Sequence, residues 1–504
     1  MSEIRPGERG PLWALGGLSL VAMALQQALV RQPPRPLHLS QAPASSGPAA
    51  LRLRFSRPMD AASLASSRLD PPLAHRWLGE GDTFLLALAP GQRPAGPLRL
   101  SLAGRDLAGV PLKPRRWLWD PRPRLLAVVP VAGGDQLHLR DHDGRWRPLV
   151  PKVWRQIVTV EALADGSALA LVSREEEGSQ QVWRLALRQR NLAPESQGLA
   201  SVGASAPRAL WREPMLFAHI SGNRRGELLV QAGGMAGEGV RTLLWPPSGS
   251  PRPLALDAIG TASLLPEGGA VVVPRNEGLT LEQLPPRPPR RQILPGSRDL
   301  LAFCPRSGRA LLRRHWPDYR RSLEWLEPGQ PPRELWRGTE ALLAATCQGG
   351  GERLWVALLS GQRRPELSLL ALDRQGRQLG RRRLSGWELE PGTQLQDDPT
   401  TDQLVAALRP LPAAGEEGTA PPPPARAMVL ASAARQGSGA TGGTGSTGKT
   451  VDAGATGVTQ KDPRFLDVPG PQRSGVKAAR SGLADPGPPV RQVLWLSPGA
   501  AVSQ

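Results

Sequence analysis

The chain has 504 residues, with 63 Lys and Arg against 44 Asp and Glu, and a net charge of +19. That length excludes a single ordinary core, so at least two units are expected. Gly and Pro number 56 and 55, a density that means many turns between short strands where it is even and disorder where it is clustered. Lysine occurs only at Lys113, Lys152, Lys449, Lys461 and Lys477, so nearly all the positive charge is arginine. This matches the codon bias of a GC-rich genome, and the resulting field favours acidic partners whatever its origin.

Residues 11–25, PLWALGGLSLVAMAL, are apolar and uncharged, with Arg5 and Arg9 ahead of them. This is the layout of a signal peptide, with Ala22-Met23-Ala24 as a small-x-small cleavage site, or of an uncleaved signal anchor over 1–31. The uncharged run from Gly10 to Val30 is long enough to span ~30 Å of hydrocarbon as an N-terminal hydrophobic helix. No cysteine lies near it, which excludes a lipoprotein anchor. The segment predicts export to the periplasm or cell envelope, with attachment to the membrane if it is retained. Residues 32–48, rich in Pro, Ser and Ala, read as a linker.

Residues 49–112 form a small unit. LRLRF (51–55) alternates as a strand does, as do TFLLALA (83–89) and PLRLSLA (97–103). FSRPMD (55–60) opens the unit and RDLAGVPL (105–112) closes it. In Phe55, Ser56, Pro58, Met59, Asp60, Asp106 and Gly109 it resembles the bacterial Ig-like domain of S-layer and other envelope proteins. The resemblance implies a β-sandwich and no activity. The residues agree with it: Phe55 and Met59 are apolar anchors, and Pro58 and Gly109 suit turns.

From 113 onward an apolar strand, a Gly or Pro turn and a short basic segment recur. The copies include QLHLRDHDGRWRPL (136–149), RTLLWPPSGSPRPL (241–254), SLEWLEPGQPPREL (322–335) and LSLLALDRQGRQL (367–379). Strand–turn–strand copies about 40 to 50 residues apart predict a β-propeller over 113–411 plus 490–504. Seven blades are expected. The first starts at RWLW (116–119), and the seventh is completed by QVLWL (492–496). The strand plan resembles that of WD-type and periplasmic Tol-system propellers, although no Trp-Asp pair recurs. The fold class is therefore all-β throughout, apart from the N-terminal segment.

Residues 412–489 contain PPPP (421–424) and GSGATGGTGSTGKT (437–450) and read as a disordered insertion. AMVLAS (427–432) is its one strand-like piece. GTGSTGKT (443–450) matches the phosphate-loop pattern around Lys449, but neither flank forms the strand or helix that such a loop needs, so it predicts no nucleotide site. Cys304 and Cys347 sit at equivalent points of adjacent repeats. Neighbouring blades are expected to hold them beyond the ~7 Å Cα limit for a bridge, as two buried thiols.

No catalytic residue, cofactor or metal is predicted. His138 and His142 with Asp141 and Asp143 read as a polar hairpin turn rather than a metal site. Trp183, Trp245, Trp325 and Trp495 recur at related places and read as packing between blades. The candidate site is a set of arginines, Arg313, Arg314, Arg320, Arg321, Arg363 and Arg364, that a propeller would bring to one rim beside Arg381, Arg382 and Arg383. Guanidinium groups in that number suit phosphate, sulfate or uronate groups. The expected function is non-enzymatic binding or scaffolding in the cell envelope, with acidic glycans, anionic lipids or envelope proteins as partners. The alternatives are a propeller lyase or glycosidase acting on envelope polysaccharide, which needs convergent carboxylates or His with Asp, and a cytoplasmic nucleic-acid binder suggested by charge alone.

Overall fold

The computed structural model describes residues 32–42, 47–211, 213–234, 239–288, 290–304, 307–348, 351–361, 365–398, 400–401, 403–411, 423–431 and 487–499, with Met23. The N-terminal hydrophobic helix expected over 1–31, the phosphate-loop match at 443–450 and most of the 412–489 insertion lie outside them. Among the described residues no helix is long and apolar enough to cross a membrane.

The first unit consists of two four-stranded sheets. One runs in the order Pro36–Ala42, Ala50–Phe55, Thr83–Leu88, His75–Glu80. The other runs Leu192–Pro194, Arg115–Trp119, Leu98–Leu102, Arg68–Asp70. Strict alternation in ALRLRF buries Leu51, Leu53 and Phe55 and exposes the arginines between them. Phe55 meets Phe84 edge to face at 6.2 Å between centroids. Each such ring stabilises the unit by about 1.5–3 kcal/mol through burial.

The closing turn is fixed by Asp106, 4% exposed, whose Oδ1 accepts from the amides of Ala108 (3.0 Å) and Val110 (2.8 Å). Gly109 there sits at φ 80°, where a Cβ would be strained. The unit is larger than 49–112. The supposed linker supplies the strand Pro36–Ala42, because Leu39 and Ala42 face the core. RWLW belongs here and not to the first blade, with Trp117 and Trp119 4% and 0% exposed.

The remaining strands form six sheets that make seven blades, since blades two and three are joined into one nine-stranded sheet through the Gln180–Met215 pair. Blades two to six run in chain order from the innermost strand outward, as in Arg298–Phe303, Ala310–His315, Arg321–Leu326 and Arg333–Gly338 of blade five. Blade six is Ala341–Gln348, Arg353–Ser360, Glu366–Asp373 and Gln378–Arg383. Blade one is closed by the end of the chain. Gln492–Leu496 pairs with Arg124–Val131 as its innermost strand, ahead of Gly134–Arg140 and Trp146–Pro148. QVLWL therefore completes the first blade and not the seventh, since RWLW has left that place empty. Blade seven takes Arg426–Ala431, around AMVLAS, as its third strand.

Successive blades are latched by side chains that accept from backbone amides of the next innermost strand. Gln492 Oε1 takes Val160 N (3.0 Å), Gln180 Oε1 takes Ala218 N (2.8 Å), and Gln231 Oε1 takes Ala262 N (2.6 Å). Gln396 Oε1 takes Trp495 N (2.8 Å) at the closing seam. Between blades five and six the latch is covalent. Cys304 and Cys347 form a disulfide across a Cα–Cα distance of 5.1 Å. The expectation of two free thiols fails because the innermost strands of adjacent blades approach each other closely at that level. The tryptophans do pack between blades: Trp325 is 1% exposed, and Trp183 lies edge to face with Trp154 at 6.4 Å.

Innermost strands of blades two, three, five and six each carry one extra residue against their partners, at Val158, Leu216, Leu301 and Leu343. A bulge re-aims a side chain, and it leaves Val158 41% and Leu216 60% exposed.

Candidate anion-binding and acid–base sites

Antiparallel order puts the connections between second and third strands on one face, here called upper. Connections between first and second, and between third and fourth, strands lie on the lower face. Arg313 and Arg314 end the second strand of blade five, and Arg320 and Arg321 follow its turn, so all four belong to the upper face. Arg363 and Arg364 lie outside the described residues.

Most of these arginines carry acidic partners. Arg313 Nε and Nη2 donate to Asp299 Oδ2 at 2.9 and 2.5 Å, while Nη1 donates to the Leu342 carbonyl of blade six at 2.9 Å. Arg314 lies 3.5 Å from Glu324. It also stacks 3.7 Å from the ring centroid of Trp316, and Arg337 lies 3.9 Å from the same centroid. Two cations that close to one ring must occupy opposite faces, so the indole is held between them. Glu324 in turn carries Arg298 at 2.6 Å, with side chains 4% and 7% exposed. Arg320 Nε donates to Asp318 at 2.6 Å, and that hydrogen bond holds the Asp318 carboxyl below its usual range. Arg321 has no carboxylate partner among the described residues.

The turn between these strands contains the chain's one tyrosine. Tyr319 is 89% exposed with φ 64°, a left-handed backbone that non-glycine residues seldom adopt. The turn is closed by Tyr319 N donating to Trp316 O at 3.1 Å and Trp316 N to Arg320 O at 3.0 Å. Motif reading missed Tyr319. Its rarity in the sequence was the available signal.

Asp299 also accepts from His315 Nε2 at 2.8 Å. Partial burial opposes its ionisation, but hydrogen bonds from His315 and Arg313 hold its carboxyl below the usual range. His315 Nδ1 is left without a partner among the described residues.

A second acid–base group lies on the lower face, between blade one and blade seven. It borders a cavity of about 330 Å³ lined by Arg122, Arg124, Arg140, His142, Asp398 and Trp495, among others. His142 Nδ1 approaches Asp120 Oδ2 at 2.8 Å and Nε2 approaches the Pro123 carbonyl at 3.1 Å. Both ring nitrogens are spent, so His142 organises the junction with the two-sheet unit rather than facing a substrate. Asp398 is enclosed, and burial raises its pKa against the hydrogen bonds from Thr401 and Thr400. His138 points elsewhere, bonding Gln136 Oε1 at 3.0 Å. No three His, Cys, Asp or Glu side chains among the described residues are grouped to hold a metal.

This strand order, with antiparallel blades in sequence and the first blade closed by the strand Gln492–Leu496, defines a β-propeller carrying a two-sheet unit. No protein-family model matches the chain, and no curated protein matches it. Solved structures to which it is similar include TolB from Acinetobacter baumannii, at 13% identity, 57% of this chain, 76% of that one and a TM-score of 0.37. An oligogalacturonate lyase in complex with manganese is 11% identical over 75% of this chain and 97% of that one, with a TM-score of 0.41. A putative 6-phosphogluconolactonase from Bacteroides uniformis is 11% identical over 57% and 92%, with a TM-score of 0.39.

Proposed function

We propose that the protein is an exported binding or scaffolding protein of the cell envelope that recognises acidic glycans through the upper hairpin of blade five. Exposed Tyr319 beside Arg320 and Arg321 carries this reading. An aromatic face suits a sugar ring, and the Arg321 guanidinium, with no carboxylate partner among the described residues, suits its carboxylate or sulfate. The Cys304–Cys347 disulfide favours an oxidising compartment. The two-sheet unit, read as Ig-like, serves as a spacer. Its strand Arg115–Trp119 pairs with Leu192–Pro194, a segment that directly follows the third strand of blade two, so the two parts share a sheet. Arg363 and Arg364 of the neighbouring blade are proposed to extend the same rim. An array of neutral and acidic glycans, read at two salt concentrations, tests the proposal. Tyr319→Ala should weaken binding to acidic glycans by about tenfold, as loss of a stacking platform does. Unchanged binding in that variant sinks the reading.

One observation favours a second reading, an enzyme acting on envelope polysaccharide. Asp299 orients His315 by its Nε2–H and leaves Nδ1 open, the arrangement a general base requires. Incubation with uronate-containing polymers tests this. Product release by the wild type that His315→Asn abolishes would select the enzyme over the binder.

A further inference from the structure

The lower face carries a different arginine group. Between blades three and four runs a cleft of about 350 Å³ with Arg225, Arg252 and Arg287 on its walls and Leu244, Leu284 and Pro246 among its lining. None of the three arginines has a carboxylate within ion-pair distance among the described residues. They are 27 and 35 positions apart in the sequence, so no motif announces them.

The cleft is built rather than incidental. Asn223, 4% exposed, accepts from the amides of Arg225 and Glu227 at 3.0 Å each and donates to Glu227 Oε2 at 2.7 Å. This fixes the loop bearing Arg225 and ties up the one acidic side chain in the lining. Behind it, Arg184 donates to the carbonyls of Gly226 and Pro246 at 3.1 Å each, joining two loops of the cleft. Burial lowers the Arg184 pKa, with Arg208 adding to the effect. On the blade-four side, Gly268 and Gly269 turn at φ 73° and 80°. A Cβ on Gly268 would come 2.9 Å from Arg225 Cδ, and one on Gly269 would come 3.5 Å from Arg287 Nη1. Arg225 and Arg287 therefore flank one two-residue turn, close enough to serve one ligand.

We infer that this cleft binds the phosphate monoester of a small organic ligand of about sugar size. Three unpaired guanidinium groups against one tethered carboxylate leave an excess of positive charge that a dianion matches better than a carboxylate does. Planar forks approaching from two walls satisfy several phosphate oxygens at once, and the apolar lining accepts the ester's carbon body. The site needs neither export nor the blade-five rim, so its test is separate from that of glycan recognition.

Calorimetric titration of the full chain with glucose 6-phosphate, inorganic phosphate and glucose tests it. Glucose 6-phosphate should bind at one site and more tightly than inorganic phosphate, and glucose should not bind. Arg225→Ala, Arg252→Ala and Arg287→Ala should each weaken binding by about tenfold, the cost of a charged hydrogen bond. Arg320→Ala with Arg321→Ala, on the opposite face, should leave it unchanged. A Gly269→Gln variant, which crowds Arg287 but keeps every charge, should weaken binding as well. No binding of glucose 6-phosphate at millimolar concentration would overturn the inference. So would equal losses from the cleft and the upper-face control, which mean diffuse attraction, or equal affinity for inorganic phosphate, which removes the organic body.

Discussion

Two arginine groups on opposite faces of one propeller differ in what stands opposite them. On the upper face of blade five, Arg298, Arg313, Arg314 and Arg320 each meet Glu324, Asp299 or Asp318, and one of them clamps an indole with Arg337. In the lower cleft, Arg225, Arg252 and Arg287 line open space. Clustering in the sequence therefore points mostly to arginines that the fold uses internally, with Arg321 beside Tyr319 as the exception. Scattered arginines supply a second group, none of whose members has a carboxylate partner among the described residues. Carboxylates beside dense arginine clusters offset the mutual repulsion of the guanidinium groups, and the chain has fewer acidic residues than basic ones to distribute.

The largest expected effect comes from breaking the most buried pair. Glu324→Ala leaves Arg298 enclosed without its partner, and such a loss costs about 3–5 kcal/mol. Urea unfolding should show the midpoint falling without a change of slope. Replacing both residues, Arg298→Met with Glu324→Leu, should recover much of that loss. A single variant as stable as the wild type would show that the pair is not structural.

Next comes the covalent latch. Cys304→Ala with Cys347→Ala should cost about 2–4 kcal/mol, read by thermal unfolding under oxidising conditions. Under reducing conditions the wild type should fall towards the variant. Thiol alkylation of protein taken from cells should give no mass shift before reduction. A shift corresponding to both cysteines would break the link between the disulfide and an oxidising compartment.

The seam between blades two and three adds a pH dependence. Glu161 Oε2 accepts from Gly222 N at 2.6 Å, and burial of the carboxyl, against that hydrogen bond, raises its pKa to about 7. The residue as a whole keeps some solvent contact. Its folded pKa is above its unfolded one, so the folded state holds the extra proton. Stability is then highest below about pH 4.5 as far as this group is concerned, and it falls as pH rises towards 7. Discounted for the partial exposure, the fall is roughly 1–2 kcal/mol. Glu161→Gln should flatten it, and a variant with the same slope as the wild type would remove Glu161 from the account.

Much of this fold was legible because its strands obey period two and its turns use Gly and Pro. LRLRF, FSRPMD and the third strands of the blades behave as their patterns require. What failed was assignment across distance. RWLW reads as a strand in any setting, and only its pairing with Leu98–Leu102 and Leu192–Pro194 decides that it leaves the propeller. QVLWL likewise closes blade one because that place is vacant, a fact no local pattern contains. The thiol pair was misjudged by the same route: equivalence in the repeat was visible, but the 5.1 Å approach of two innermost strands was not. The anion site split along this line too. Arg313 and Arg314 are adjacent and conspicuous, while Arg225, Arg252 and Arg287 meet only through four loops from two blades.

The smallest effect sharpens the comparison most. Arg225 and Arg287 are exposed, and Arg252 is half-buried at a short outer strand. Truncating any of them to Ala should leave the thermal midpoint within about a degree or two, as surface changes do. Truncating Arg313 should lower it clearly, because Asp299 and the Leu342 carbonyl lose their donor together. Ligand should then reverse the ranking. Glucose 6-phosphate in hundredfold excess over its dissociation constant stabilises the folded state by roughly 2.7 kcal/mol. The wild-type midpoint should therefore rise with ligand, and that of Arg313→Ala should rise by the same interval from its lower start. The triple variant of Arg225, Arg252 and Arg287 should not rise. If Arg313→Ala lost the ligand shift while the triple variant kept it, the assignment of Arg313 as structural and of the cleft arginines as binding would be inverted.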